Sequence, residues 1–551
     1  MLRLTEIKLP FDHAPHALPA AICKTLRIPA TALLRHTVFR RGVDARKSHA
    51  IVFVYTCDVE VADEARLLVK FKDSPRLTVA PDMSYHFVAR APETPLAERP
   101  VIIGMGPAGL FAGLILSQSG FRPMILERGK MVRERAKDTF NFWRKGELDP
   151  ESNVQFGEGG AGTFSDGKLH SQIKDRKHYG RKVLEELVKA GAPPEILYVS
   201  KPHIGTYKLI GIVEKIRAEI LALGGEIRFQ SRVDDLEIAA GQVRGVVLAS
   251  GERIATRHLV AAIGHSARDT FEMLHRRGVA IEPKPFSIGF RIEHPQALID
   301  RGRYRKDAGN PLLGAADYKL VHHAGNGRSV YSFCMCPGGM VVASASETGR
   351  VVTNGMSQYS RNEPNANSAL VVGISPEDYP GGPLAGIAFQ RFWEARAFEL
   401  GGSDYHAPGQ RVGDFLSGRP STAWGSVTPS YTPGVKPCDL STALPDYAIE
   451  ALREAIPAFA KQIRDFDLAD AVLTAVETRT SSPVCLRRNP DDLQSVNTRG
   501  FYPTGEGAGY AGGILSSAVD GITVAEAVAQ NLIDVGGRGG TRTRKPFGIR
   551  S

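Results

Sequence analysis

Residues 101–129 read VIIGMGPAGLFAGLILSQSGFRPMILERG, and the order of parts in this stretch decides the fold. Three apolar residues, Val101 to Ile103, form a strand that runs into Gly104-x-Gly106-x-x-Gly109. A helix follows, and a second strand from Pro123 to Leu126 ends on Glu127. Gly104 makes the tight turn, Gly106 lets backbone N–H groups approach a pyrophosphate, and Gly109 lets helix and strand pack closely. The helix opens at Pro107 and Ala108, so its positive end faces the phosphate charge. Glu127 stands 23 residues after Gly104, the spacing at which a carboxylate accepts the adenosine ribose hydroxyls. Arg128 beside it is placed with the cofactor contacts. The arrangement predicts an α/β dinucleotide-binding domain.

Two later glycine segments decide which dinucleotide. Residues 154–169, VQFGEGGAGTFSDGKL, follow the first strand–helix–strand unit. Gly159, Gly160 and Gly162 permit a close backbone approach there, and Thr163 or Ser165 offers a hydroxyl to a ribityl chain and flavin edge. Residues 501–528, FYPTGEGAGYAGGILSSAVDGITVAEAV, end a strand of the same sheet and open another helix. Gly505, Glu506 and Gly507 pass the pyrophosphate and ribitol. Gly512, Gly513 and Ile514 then aim helix N–H groups at the flavin pyrimidine edge, where partial positive charge stabilises an anionic reduced ring. A simple NAD dehydrogenase has no use for a second glycine turn this far along, so the expected cofactor is FAD. Between them, LVAAIGHSARDTFEML (259–274) reads as a return crossover, with Gly264 allowing close passage, His265 suited to a helix-capping or phosphate-side role against a catalytic one, and Ser266 and Asp269 suited to caps.

These segments carry a family resemblance. GMGPAGLFAG, FGEGGAGTFSDGKL, AIGHSARDTFEML, FCMCPGG, NGMSQYSRN, ETRTSSPV and YPTGEGAGYAGGI make the chain resemble the bacterial FAD-dependent, or "NAD(FAD)-utilizing", dehydrogenases. The resemblance extends over most of the chain. It implies FAD, a redox role, and a small N-terminal α/β domain joined to a glutathione-reductase-like FAD fold. It implies no substrate.

Length and composition agree with several domains in one chain. At 551 residues, with 42% apolar and 23% charged residues, two or three cores are expected. Residues 1–98 read as a small α/β, ferredoxin-like unit. Its strands are Leu2 to Leu9 and Ile51 to Val61, its helices Leu18 to Leu26 and Ala62 to Phe71, and a proline-rich linker closes it. Residues 99–279 form the first part of the FAD domain. Within it, helices are expected at Arg181–Ala190 and Ile212–Leu223, and paired strands over 226–249. The stretch 280–420, rich in Gly, Pro, Ser and Asn, suggests an antiparallel cap. Residues 421–535 complete cap and FAD domain, and 536–551 form a basic tail expected to lack fixed structure. The predicted class is thus α/β, a Rossmann-like FAD/NAD(P)-binding domain of glutathione-reductase type with a cap.

The formal charge is +10, and Arg538, Arg542, Arg544, Lys545 and Arg550 in the tail supply half of it. An anionic cofactor or substrate accounts for the rest, so nucleic acid is not the expected partner, although Arg35, Arg40, Arg41, Arg46 and Lys47 mark the N-terminal domain. No leader pattern is visible, and the uncharged run at 101–117 is interrupted by glycines, so no membrane span is expected. Six cysteines without C-x-x-C point to a reducing cytoplasm. His322 and His323 lack partners at ligand spacing, so no metal site is expected.

Three groups stand out for catalysis. Arg479, flanked by Thr478, Thr480, Ser481 and Ser482, suits a pocket wall that holds an anionic substrate group, against an ion pair with Glu477 or another acid. Lys168 and His170 end the glycine loop and can lie over the flavin, against a role as exposed loop residues. Cys334 and Cys336 lack the C-x-x-C or C-x4-C spacing of a flavin disulfide reductase, and their side chains are expected to diverge, leaving one buried or substrate-facing thiol. The expected activity is transfer of hydride or electrons between FAD and a small organic substrate. No second G-x-G-x-x-G fold exists for a nicotinamide, so NADH or NADPH would visit the flavin transiently. A flavin-dependent RNA-modifying enzyme and a non-catalytic flavin sensor are the rival readings.

Overall fold

The structure is a computed structural model that describes residues 1–47, 49–93, 97–171 and 173–536. The basic tail therefore lies outside the described residues, apart from Gly536 at the end of the last helix.

Its centre is a five-stranded sheet in the order Phe501–Pro503, Leu259–Ala261, Val101–Ile103, Met124–Leu126 and Glu226–Arg228. All neighbours are parallel. A parallel sheet is covered on both faces, so its strands read as unbroken apolar runs such as VII, MIL and LVA. Helices Pro107–Gln118, Thr206–Ala222 and Ile514–Gly536 bury one face. The other is buried by helix Arg268–Arg276 and a small antiparallel sheet of Val233–Ala239, Gln242–Leu248 and Arg253–Ala255. Paired strands over 226–249 were expected. The pairing starts only at Val233, because Glu226–Arg228 returns from helix Thr206–Ala222 to extend the parallel sheet, the usual crossover geometry.

The cap is a seven-stranded sheet ordered Val321–His323, Ser329–Cys336, Asn365–Ile374, Phe286–Pro295, Val472–Glu477, Ala407–Arg411 and Val435–Pro437. Every pair is antiparallel except the last, which is parallel. Helices Ala385–Gly401 and Asp446–Ala460 contribute buried residues to its core. The cap thus extends well past residue 420. Val472–Glu477 lies inside the sheet and is buried along its whole length, so it lacks the alternation that would mark it as a strand.

The N-terminal unit runs strand–helix–strand–strand–helix–strand, the ferredoxin-like order, over residues 2–79 around its own core. Val52–Val61 alternates buried and half-buried positions with period two, as a one-faced strand must. The sequence reading overlooked Leu33–Asp44, an edge strand whose arginines suit an exposed edge. It docks on the FAD domain: the Arg41 N–H donates to the Tyr198 carbonyl at 2.7 Å, and the Ser200 N–H to the Arg41 carbonyl at 2.9 Å. Three cations of the basic cluster have partners within the chain. Arg35 pairs with Glu60, Arg46 with Asp44, and Arg41 lies over Phe53 and Tyr198. Among the described residues, no helix is long and apolar enough to cross a membrane.

The cap ladder has a sharp steric test. A Cβ at Gly289 would lie 1.8 Å from the Leu370 carbonyl oxygen, whereas one at Gly373 would meet nothing within 4 Å. Gly289→Ala is expected to destabilise the protein by about 1–3 kcal/mol and Gly373→Ala to stay within about 0.5 kcal/mol of wild type. Thermal unfolding of both variants checks this; equal midpoints would refute the packing argument.

Candidate functional site

A cavity of about 400 Å³ opens beyond the carboxyl ends of the parallel strands, where open α/β sheets bind their ligands. Gly104, Glu127, Gly264 and Thr504–Glu506 line it as the chain leaves four neighbouring strands. The backbones meet too closely for side chains. A Cβ at Gly104, whose φ is +94°, would lie 2.4 Å from the Ala262 carbonyl oxygen, and one at Gly109 would lie 2.0 Å from the Gly104 carbonyl oxygen. Around Gly264, Gly512 and Gly513 the situation is reversed: nothing stands within 4 Å of an added Cβ, so these glycines border a hollow that side chains would fill. Two helices present their N-terminal residues to this hollow, Gly106–Ala108 on one side and Gly512–Ser517 on the other. The first has no side-chain cap, which leaves its N–H groups for a phosphate.

The cradle is held from behind by Arg135, which is fully buried. Its guanidinium donates to the carbonyls of Asn153 (2.8 Å), Val154 (2.7 Å), Glu158 (2.6 Å) and Gly160 (2.9 Å). One side chain thereby folds the glycine-rich segment 153–160 back over Gly106. Glu127 works from the front. Its carboxylate accepts from the N–H groups of Met105 (2.8 Å), Gly129 (2.9 Å) and Gly157 (3.0 Å). About four lone-pair positions are available on a carboxylate, so room remains for a ribose hydroxyl.

The structure brings most of the expected cofactor residues to the cavity: Gly104, Gly106, Pro107, Ala108, Glu127, Arg128, Gly160, Gly162, Ser165, Gly264, Gly505, Glu506, Gly512, Gly513 and Ile514. Gly109, Gly159 and Thr163 are not among its lining. Gly109 serves helix packing, Gly159 donates its N–H to the Met105 carbonyl at 2.8 Å, and Thr163 is buried against Gly159. Arg128 forms wall rather than ligand contact, since Glu151 and Asp269 both pair with it at 2.9 Å. Asp269 is thus an ion-pair partner and not a helix cap. The helix that begins at Arg268 has no side-chain cap, so the capping role expected near His265 also falls away.

Arg479 reaches the cavity wall but is not a free anion anchor. Its guanidinium pairs with Glu394 at 3.0 Å and donates to Ser346 (2.6 Å) and Ser266 (3.0 Å). Its acid is therefore Glu394, which it shares with Arg268; Glu477 pairs instead with Arg291 at 3.2 Å. Burial opposes ionisation of Glu394, but Arg268 and Arg479 outweigh it and hold the carboxyl well below its usual range. His265 lines the cavity with Nδ1 3.0 Å from the Ser266 hydroxyl. Burial, with Arg479 and Arg268 nearby, pushes its imidazole down to about 3, so the ring is neutral at physiological pH.

Lys168 also lines the cavity, 3.2 Å from Asp166 and 3.8 Å from the Cys336 sulfur. Burial pulls its ammonium down, but the two cysteines and Asp166 outweigh it and keep it charged. Cys334 lines the cavity; Cys336 lies behind it, fully buried. The expected divergence of these side chains was wrong. Residues two apart share a face of a strand, and a register shift between Phe333 and Cys336 adds one residue on this side of the ladder. The Cys336 thiol donates to the Cys334 carbonyl at 3.3 Å.

Sequence reasoning missed Gln155, Phe333, Asn354 and the cavity position of Glu477. Glu477 and Glu506 are unusual: burial pushes each carboxyl up to about 7, against the opposing charge of Arg291 and Lys284 respectively. Burial is the main cause of both shifts, with the Cys336 sulfur adding to it at Glu477, and no local motif signals burial.

Fold and cavity together define an α/β dinucleotide-binding protein. A family model described as "FAD-dependent protein, C-terminal domain-like" matches residues 285–480, and a domain of unknown function matches residues 1–60. A Clostridium beijerinckii protein, described as uncharacterized, is 48% identical over 538 residues, covering 96% of this chain and 99% of that one. The chain belongs to that protein's family. FAD is the cofactor, as the matching model and the cradle agree. Solved structures similar to the chain include the flavin-dependent brominase Bmp2 (13% identity, 79% of each chain, TM-score 0.35). Another is glycine oxidase from Bacillus cereus (11% identity, 79% of this chain and 95% of that one, TM-score 0.31). A third is L-amino acid deaminase from Proteus myxofaciens (11% identity, 82% and 93%, TM-score 0.34). At these scores the likenesses carry no argument.

Gly512→Leu fills the hollow without backbone strain. It is expected to cut flavin retained per purified chain at least about tenfold, the loss that follows from about 1.4 kcal/mol of lost affinity; full retention would misplace the cofactor. Glu394→Gln leaves two buried guanidinium groups with Glu347 as their one remaining carboxylate and is expected to cost about 3–5 kcal/mol in equilibrium unfolding. The sign of the pH effect follows from the lowered carboxyl. Glu394 stabilises the wild type above about pH 4.3, the free glutamate value, and this contribution fades as pH falls below it. The variant should lack that part of the acid sensitivity; an unchanged acid profile would show that the pair contributes nothing.

Proposed function

We propose that the protein is an FAD-dependent oxidoreductase that moves a hydride or an electron pair between the flavin and a small, anionic organic substrate. The observation that carries this reading is the composition of the cavity beyond the glycine cradle. There the cap sheet contributes Phe333, Cys334, Glu477, Arg479 and Thr480, and the FAD domain contributes Lys168, His265 and Glu506. The reading includes a glutathione-reductase-type layout, a cytoplasmic setting and NADH or NADPH as a transient reductant.

Bound FAD supplies reversible acceptance of hydride or electrons. The chain's own residues do the rest. The helix beginning at Ile514 orients and stabilises negative charge at its N-terminus. Lys168 holds an anionic substrate group by its fixed positive charge. His265, neutral at working pH, orients through hydrogen bonds rather than by charge. Glu477 and Glu506 each hold a proton near neutrality, where a carboxyl can take or return one as the substrate changes charge. Phe333 and the cap strands exclude water from the wall they form.

The test begins with the visible absorbance of the purified protein under anaerobic conditions, followed by addition of NADH and then NADPH. Bleaching by one of them is the expected result. A flavin that neither bleaches removes nicotinamide from the scheme. With the substrate found by acceptor screening, Lys168→Met should raise KM about 10–100-fold, as loss of a charged hydrogen bond implies, with the flavin spectrum unchanged. An unchanged KM would remove Lys168 from substrate binding.

A further inference from the structure

Six cysteines are spread over the chain, and one pair reaches the cofactor cavity, with Cys334 in its wall and Cys336 buried directly behind. The chemistry around this pair differs from that around the other thiols. Cys57 and Cys438 sit where burial pushes the thiol up, to about 12 and about 11. At Cys334 and Cys336 burial acts the same way, but two cations face the sulfurs. The Lys168 ammonium is 3.8 Å and the Arg291 guanidinium 3.9 Å from the Cys336 sulfur, and the same Arg291 nitrogen donates to the Cys334 carbonyl at 3.1 Å. The pair shares one proton. Its hydrogen bond from Cys336, together with Lys168 and Arg291, lowers the Cys334 thiol to about 6, while Cys336 is raised as the proton donor. The thiolate is the nucleophile of thiol–disulfide chemistry, and here it lies on the wall that faces the cofactor.

We propose that Cys334 and Cys336 are a redox pair that cycles between dithiol and disulfide by exchanging two electrons with the FAD, an inference that rests on the cofactor reading above. In the oxidising direction the one S–H bond of the pair breaks and one S–S bond forms with the thiolate sulfur. Two electrons and that proton pass to the flavin. Glu477, which shares Arg291 with the thiols and sits in the cavity wall, is placed to relay the proton. The reverse direction opens the disulfide and restores one thiol and one thiolate. The cap thereby contributes reacting groups to the site as well as its shape. The natural outside partner is a disulfide or another two-electron acceptor small enough to enter the cavity.

Two readouts on the full-length holoprotein test this. The protein is poised in glutathione buffers from reducing to oxidising, the free thiols are blocked by alkylation, and the peptide containing residues 334–336 is weighed. The expected result is a passage from two blocked thiols to none as the buffer becomes oxidising. Two blocked thiols at every poise overturn the proposal. This readout needs no flavin, so a colourless protein would count against the cofactor reading while the pair was still scored. In the yellow protein, oxidised beforehand, anaerobic titration with dithionite is expected to consume about four electrons per FAD in wild type and about two in Cys334→Ser, since each couple takes two. Cys336→Ala serves as an independent variant should the first fold poorly. Equal uptake in wild type and in the folded variant overturns the proposal.

Discussion

The buried guanidinium of Arg135 is the interaction on which the cofactor site depends. A side chain with five N–H donors and no exposed surface must find its acceptors inside the protein. It finds them in successive carbonyls of the loop from Asn153 to Gly160. A loop with few side chains has little packing of its own to hold a shape, and a permanent positive charge beneath its carbonyls supplies that shape. Glu127 complements it by gathering three N–H groups from the first glycine turn, from its own strand end and from this loop. Cation behind and anion in front, the two residues lock three separate backbone segments into one cradle.

A second buried ion cluster joins that cradle to the cap. Arg268 opens the helix beyond Gly264, Arg479 follows a cap strand, and Glu394 lies on a cap helix that carries neither. Burying charges is costly unless each is paired, so the cluster tolerates little variation in how cap and FAD domain meet. The consequence is a rigid wall above the hollow, in which Ser266 and His265 are held against Arg479. Glu477, Arg291 and the two cysteines form a neighbouring cluster on the central strands of the cap. The reactive groups therefore sit on strands, which position side chains more firmly than loops do.

The binding half of this site was legible in the sequence for a physical reason. A dinucleotide demands that backbone approach it directly, and only glycine permits that, so the requirement is written as residue type at fixed spacing. Gly104, Gly106, Gly264, Gly505, Gly512 and Gly513 all line the cavity. The packing glycine Gly109 was equally readable, although it meets the Gly104 carbonyl and not the cofactor. The reacting half was not legible. Arg479 looked like an anion anchor because nothing local reveals Glu394, which lies 85 residues away. Cys334 and Cys336 looked unpromising until the bulge after Phe333 and the approach of Lys168 from the FAD domain were seen.

Sequence alone determined that the chain folds around a parallel sheet with glycine turns at its strand ends, and that it binds FAD. These properties follow from local rules, the period of apolar residues and the absence of Cβ atoms at set positions. Tertiary structure alone decided which charges neutralise one another, which carboxyls are buried enough to titrate near neutrality, and which thiols face cations. Those depend on distances between residues far apart in the chain and on how much water is removed around them. Neither quantity exists until cap and FAD domain have closed over the cavity.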